Sequence, residues 1–537
     1  MVQITSSCFI PLIALIPTFL NGILSDVTGS SYSPLSFVNA ASTHSDNSTD
    51  SQAGLIHMSL MSDVDEDDAS FVHPWIKLQQ HMNHGKRRMA QMKGMDSPSK
   101  EEMLDAVKRR ELDVRRESED DAKMLDFRLP RIKSKPQSIK SDELNTRPKR
   151  RDSRFDAASP FGLSPRRAGF SSTEAKMQSS YSVTNAPDVS AKNTEGLAIE
   201  ANDVGYFVKV KIGSSDTTFK MLVDSGSSDT WVTGTSCKNC GPSSRQKMGK
   251  SSSQSLKTTN DNFKISYGSG NVGVTLVKDS FSIAGLSLDT FTFGMASSES
   301  DDFGADKIPF DGLIGLGGSS LSITKQDTLV DALAKANKIN KPVVGIRLGR
   351  AADGSGGNKG QITFGGVDQS QIDGNLNQVE NQSKEGYWAV QVDSVSLDSN
   401  QVSGSSTAVL DTGTSLIIAP KSAADKIHDA IPGAKSDGHG GYTLPCTTRK
   451  KLSFKISGTT YTMDSRDLLF APKDSNNLKG TCISAVSSGE TMDGANWLLG
   501  AAFLKNVYFA INSDANRIGL GLSLIHISEP TRLRRIS

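Results

Sequence analysis

The feature that most constrains this 537-residue chain is an internal duplication. MLVDSGSSDTWV (221–232) is echoed by AVLDTGTSLIIA (408–419), placing Asp411 187 residues after Asp224. Each copy reads apolar, then Asp-Ser/Thr-Gly-Ser/Thr-Ser, then apolar. Downstream of each comes a second apolar stretch ending in glycine. Gly315 of FDGLIGLG lies 91 residues after its aspartate, and Gly500 of NWLLG lies 89 after its own. One Asp-x-Gly is an ordinary turn. Two copies with matching glycine elements call for two lobes of similar length, each presenting one aspartate in a tight turn.

Paired carboxylates carry a specific chemistry. Two of them crowded around one water cannot both stay charged, so they share a proton. One then acts as general base on the water while the other supplies a proton or hydrogen bond to a carbonyl. In this reading Asp224 and Asp411 are catalytic. Ser225 and Thr412 bridge the lobes, Ser227 and Thr414 donate to the carboxylates, and Gly226 and Gly413 admit close backbone approach.

From about residue 197 the texture is short β-branched or alternating runs broken by Gly, Ser and Asp, which predicts an all-β architecture. Examples are YFVKVKI (206–212), FKMLV (219–223), FKISY (263–267), QITF (361–364), YWAVQVDSVSL (387–397) and LSFKI (452–456). Short helices are expected at 326–337 and 421–430. GSGGNKG (354–360) lacks the Lys-Ser/Thr ending of a phosphate loop and reads as a surface loop.

Residues 26–195 differ sharply. Ser, Asp, Lys and Arg dominate, with an acidic patch at 63–68 and basic clusters at 86–88, 108–110 and 115–116. Such composition buries too little apolar surface to offset chain entropy, so most of it is expected to be disordered. One helix is predicted from Ser97-Pro98-Ser99 through EEMLDAVKRRELDVRR, with early acids and late bases. Ahead of this region, the uncharged apolar run Cys8–Leu24 has the length of a signal-peptide core, with cleavage after Gly22 or Ser25. Behind such a signal, Lys149-Arg150-Arg151 and Arg166-Arg167 are candidate cuts for a processing protease. Lys+Arg 60 against Asp+Glu 59 leaves a net charge of +1, which gives no pull toward nucleic acid.

Cysteines 237, 240, 446 and 482 remain outside the signal, and four cysteines allow three pairings. No second Cys-x-x-Cys and no nearby histidine supports a metal at Cys237-Lys-Asn-Cys240. Two local bridges, Cys237–Cys240 and Cys446–Cys482, are the simpler reading, and no metal or cofactor is expected.

At this point the sequence resembles the pepsin-like aspartic proteases, the fungal secreted members most closely, over roughly 197–521. The resemblance rests on the two Asp motifs, EANDVGYFVKVKIG before the first, KISYGSGNVGV (264–274), FDGLIGLG, GQITFGGVD (360–368), GYWAV (386–390) and WLLGAAFLKNVYFAINSDANRIGLG (497–521). It implies two β-barrel-like lobes with a cleft between them, an N-terminal lobe at 196–385 and a C-terminal one at 386–521. It implies a monomeric, acid-acting endopeptidase of peptide and protein substrates, secreted, or held in vacuole or wall. The precursor segment is far longer than in typical members, so its contacts are not carried over; from its charge alone, the basic propeptide 26–195 is expected to cover the acidic dyad through a Lys or Arg. Tyr267 would be a flap tyrosine, Gly268 and Ser269 would contact substrate, Trp231 would support Tyr267, and Leu222 with Phe303 would lie near pocket walls. Ser225 stands where Thr is commoner, and Ala501 where Asp is usual.

Two other classes remain in view: a catalytically inactive relative that binds peptide or carbohydrate-degrading enzymes, and a surface adhesin or structural wall protein whose long N-terminal region is the active part. The first is expected to lose an Asp or the flap Tyr, and this chain keeps all three. The N-terminal region shows no repeat or binding motif. Finally, LSLIHISEPTR (522–532) resembles the translation of a sequencing-library transposase adapter. Residues 522–537 are therefore expected to stand apart from the fold, leaving His526, Arg532, Arg534 and Arg535 without function.

Overall fold

In the computed structural model, residues 74–92, 98–128 and 183–524 are described, except 202, 216, 239, 242–243, 268–269, 301–302, 304–307, 354–356, 475–476 and 490–495. The compact unit Asp68–Ser537 holds all of them. The candidate signal, both dibasic sites, Gly268 and Ser269 lie outside the described residues.

The described strands form four sheets, and two of them build the lobes. A nine-stranded sheet gathers strands between Val183 and Gly315, and an eight-stranded one gathers strands between Ala389 and Leu499. The duplication reappears as topology. Strand Thr218–Asp224 runs parallel to Gly312–Gly315, which sets Gly315 opposite Asp224. Strand Ser406–Leu410 runs parallel to Asn496–Leu499, with Leu410 opposite Leu499. The apolar-apolar-Gly elements are thus the strands flanking each aspartate. Glycine ends them because a Cβ at Gly315 would sit 2.6 Å from Ser228 Cα, and one at Gly500 2.5 Å from the Leu416 carbonyl oxygen. Alternation supplies the core: in Thr218–Asp224, Phe219, Met221 and Val223 are buried while Thr218 and Lys220 are exposed.

A six-stranded sheet corrects the expected lobe boundary. Its order is Ile372–Glu380, Arg517–Ser523, Val507–Asn512, Val343–Arg347, Gln361–Phe364 and Thr194–Gly196. The last two strands of the chain therefore do not stay in the C-terminal lobe; Val507–Asn512 pairs with Val343–Arg347 of the N-terminal half. The end of the fold also lies past Gly521. Leu522 pairs with Val507 and Asp373, and Ser523 pairs with Ile372 and is buried. Backbone pairing accepts any side chain, so the ladder continues two residues into the segment expected to stand apart. Residues 525–537 lie outside the described residues.

The smaller expectations fare unevenly. Helices occupy Leu329–Lys335 and Lys421–Asp429, inside the predicted spans. Disulfides join Cys237–Cys240 and Cys446–Cys482. The loop at 354–360 is not wholly superficial: Asn358 is buried, and its Nδ2 donates to the carbonyls of Asn185 (2.9 Å) and Leu197 (2.8 Å). No helix among the described residues is long and apolar enough to cross a membrane.

The largest correction concerns 26–195: among its described residues are two helices where one was expected, α1 (Pro74–Met92) and α2 (Lys100–Arg128), and its end, with strands Val183–Thr184 and Thr194–Gly196, belongs to the protease sheets. Helix α2 opens on a reciprocal cap in which Glu102 N–H donates to Ser99 Oγ (3.1 Å) and Ser99 N–H to Glu102 Oε2 (2.7 Å). Helix α1 packs Trp75, Leu78, Met82 and Met89 into the main hydrophobic core. Composition hid it because this stripe is narrow within a basic segment; tertiary packing supplies what propensity does not.

Candidate active site

Asp224 ends one buried strand and Asp411 immediately follows another, each entering a turn whose own backbone solvates it. Gly226 N–H donates to Asp224 Oδ1 (3.0 Å) and Gly413 N–H to Asp411 Oδ1 (2.9 Å). Three residues after each aspartate a hydroxyl donates to the other oxygen: Ser227 to Asp224 Oδ2, and Thr414 to Asp411 Oδ2 at 2.7 Å. The turns are anchored alike, since Gly317 N–H reaches the Ser227 carbonyl and Ala501 N–H the Thr414 carbonyl, both at 2.7 Å. Ala501 thus contributes through its backbone, and the missing Asp leaves this bond intact.

Ser225 and Thr412 tie the two turns together. Ser225 N–H donates to Thr412 Oγ1 (2.9 Å) and Thr412 N–H to Ser225 Oγ (3.0 Å). Each hydroxyl then donates to the opposite strand, Thr412 to the Val223 carbonyl (2.9 Å) and Ser225 to the Leu410 carbonyl (3.2 Å). All four bonds are buried and cross about 187 positions of sequence. Gly226 is required by this closeness: a Cβ there would lie 2.7 Å from Asp411 Oδ1.

The two carboxylates are not electrostatically equal. Burial drives Asp224 upward, and the neighbouring Asp411 adds to that despite the Arg88 charge. Burial pushes Asp411 the same way, but Arg88, the Thr414 hydroxyl and His84 outweigh it and hold Asp411 below its ordinary value. With the Arg88 guanidinium across them, the two carboxylates sit in unequal surroundings, Asp224 pushed above and Asp411 held below its ordinary value.

Beside the dyad, Trp231 Nε1–H donates to Tyr267 Oη at 2.8 Å. Phe303 stands edge-on to both rings, at 5.8 Å from Trp231 and 5.3 Å from Tyr267, and Leu222 packs on the same cluster. The structure thus brings together Tyr267, Trp231, Leu222 and Phe303.

The residue that sequence reasoning left unnamed is Arg88 of α1. Its guanidinium lies across both carboxylates, with Nη2 at 2.5 Å from Asp224 Oδ1 and Nε at 3.1 Å from Asp411 Oδ2. The helix is held in place by further contacts. Gly85 passes so close to Ile418 that a Cβ would meet its Cγ1 at 2.7 Å. Arg110 of α2 pairs with Asp437 (2.5 Å), donates to Gln79 (3.0 Å) and covers the Trp75 ring at 4.8 Å. The available signal was the spacing of α1: Trp75, Leu78, Met82 and Met89 mark a helical face, and the 86–88 basic cluster falls on that helix.

The duplicated turns set two carboxylates side by side, and comparison with known proteins places the chain among proteins named for such a pair. The profile of the eukaryotic aspartyl proteases matches residues 205–523, more than half of the chain. The chain belongs to the eukaryotic aspartyl protease family. Within that family it is 36% identical over 347 residues to a probable aspartic-type endopeptidase CTSD of Trichophyton verrucosum, covering 64% of this chain and 66% of the relative. It is 32% identical over 354 residues to the aspartic-type endopeptidase ctsD of Aspergillus fumigatus, covering 65% and 72%. Rhizopuspepsin of Rhizopus chinensis is 34% identical over 321 residues, covering 59% and 78%. The match to the Trichophyton protein spans just under two thirds of that relative's length.

Proposed function

We propose that this chain is the precursor of an aspartic endopeptidase that hydrolyses peptide bonds with water activated between Asp224 and Asp411. The observation that carries this reading is the pair of buried carboxylates in matched turns, each fed by a backbone N–H and a hydroxyl. With one proton shared by the pair, the ionised partner takes a proton from the attacking water. The protonated partner donates to the substrate carbonyl, so both proton transfers of amide addition are covered by the pair. Tyr267, fixed by Trp231, closes the substrate side of the site.

The same reading makes the N-terminal region to about residue 182 a propeptide and leaves 183–195, whose strands Val183–Thr184 and Thr194–Gly196 pair in the protease sheets, with the enzyme. A guanidinium spanning both carboxylates occupies the place where water and the scissile carbonyl would meet, so the chain with α1 docked is inactive. Activation then requires α1 to leave, with cutting at 149–151 or 166–167 by a processing protease of the secretory route. The apolar run at 8–24 supports export to medium, wall or vacuole, and the active species is a monomer acting on peptides. Because the dyad must hold one proton, activity falls on the acid side of neutrality.

Protein freed of its N-terminal region and incubated with a peptide library at acid pH tests the proposal. Cleavage that pepstatin abolishes is the expected outcome. Cleavage indifferent to pepstatin, or none, counts against it.

A further inference from the structure

Helix α1 carries two parallel stripes. The apolar one, Trp75, Leu78, Met82, Gly85 and Met89, packs on the protein. The other, Lys77, His81, His84 and Arg88, repeats at spacings of four, three and four, so the four basic groups stand in one column. Arg88 is matched by two carboxylates. The two histidines between Lys77 and Arg88 are not.

Their surroundings suit the neutral imidazole. The His81 ring is edge-on to Phe470 at 5.2 Å, and its Nδ1 lies 3.4 Å from Ser415 Oγ. Ser415 already donates its proton to the Val204 carbonyl at 2.8 Å, so it serves His81 only as an acceptor. His84 bonds to the Gly413 backbone, while its Nε2 is sealed from solvent with no partner among the described residues. A second ring proton on His84 would point at nothing that accepts it. The charges facing His81 are Lys77 and His84; those facing His84 are Arg88, Arg87 and the single carboxylate Asp411. Glu200, from the strand Ala198–Glu200, faces Lys77.

We infer that His81 and His84 are an acid-sensitive release for α1: protonation adds charge to a column already cationic, and the helix leaves the dyad. This rests on the propeptide reading above but concerns docking, not catalysis. Burial lowers His81 to about 3 and His84 to about 4 from 6.5. A base whose docked value is depressed favours docking above its free value and withdraws that support as pH falls toward the docked value. The window is therefore about pH 6.5 to 4, and each histidine weakens docking on the order of tenfold or more across it.

Pulsed hydrogen–deuterium exchange of the full-length chain, followed in peptides from 74–92 and corrected for intrinsic rates, reads docking without requiring catalysis. The wild type is expected to lose protection of α1 between about pH 6.5 and 4.5, and H81Q/H84Q to hold it about one pH unit lower or more. Opening of the double variant at the wild-type pH overturns the inference. If glutamine loosens α1 already at pH 7.5, histidine NMR titration of the wild type decides. Protonation well below pH 6.5 that coincides with opening supports it, and titration at the free value without opening refutes it. Peptide hydrolysis by protein lacking residues 1–182 is measured separately. Loss of that activity with normal α1 release would fault the enzyme reading alone.

Discussion

Arg88 is the residue on which the proposed inactive state turns. A buried arginine beside two carboxylates is strongly favoured as the cation, and its removal strands charge that only protonation can relieve. Methionine at this position keeps the aliphatic volume and deletes the ion pair. R88M in the full-length chain is expected to weaken α1 docking by about 3–5 kcal/mol. The uncut protein should then bind a fluorescent pepstatin at neutral pH, where the wild type does not. Failure to bind would mean that α1 is held by its apolar stripe and the Arg110–Asp437 pair alone. The same residue shows where sequence stopped being informative. A Lys or Arg on the dyad was expected, but which of the many basic groups does it depends on how α1 lies, and that is fixed by Trp75, Leu78 and Met82 packing on a distant lobe.

At the level of elements, the two turns work as one unit because their hydroxyls are exchanged. Thr412 Oγ1 both accepts from Ser225 and donates to Val223, so T412V, nearly isosteric, leaves a buried N–H and a buried carbonyl unmatched. The expected cost is about 2–3 kcal/mol in denaturant unfolding. Misplacement of the carboxylates should also lower kcat/KM about tenfold or more. Unchanged stability and unchanged rate together would contradict the role given to the pair. This network was legible because the chemistry is local: hydroxyl, glycine and aspartate share a few positions, and the repeat aligns them. The parallel strands ending at Gly315 and near Gly500 were legible as repeated motifs, though not as strands. The course of the final strands was not. Pairing of Val507–Asn512 with Val343–Arg347 spans some 160 residues, and alternation within a strand says nothing about its partner.

For the whole molecule, the lobes are joined at the dyad and again by the six-stranded sheet, with a buried charge cluster close by. Lys505 reaches Asp203 (2.7 Å) and Asp467 (2.9 Å), and Arg350 pairs with Asp467 at 2.6 Å. Burial alone would raise Asp467, but Arg350 and Lys505 hold it far below its ordinary value. Its contribution is present above the unfolded value near 3.8 and is lost only below that, so the cluster persists through the mildly acid range. Everything then rests on whether two carboxylates do the chemistry. The most direct measurement is peptide hydrolysis at acid pH by D224N and D411N, each freed of residues 1–182 and each shown folded by circular dichroism. Both should lose at least about 100-fold in kcat while retaining the fold, since neither carboxylate can make both proton transfers. Turnover within a few-fold of wild type by either folded variant would contradict the account.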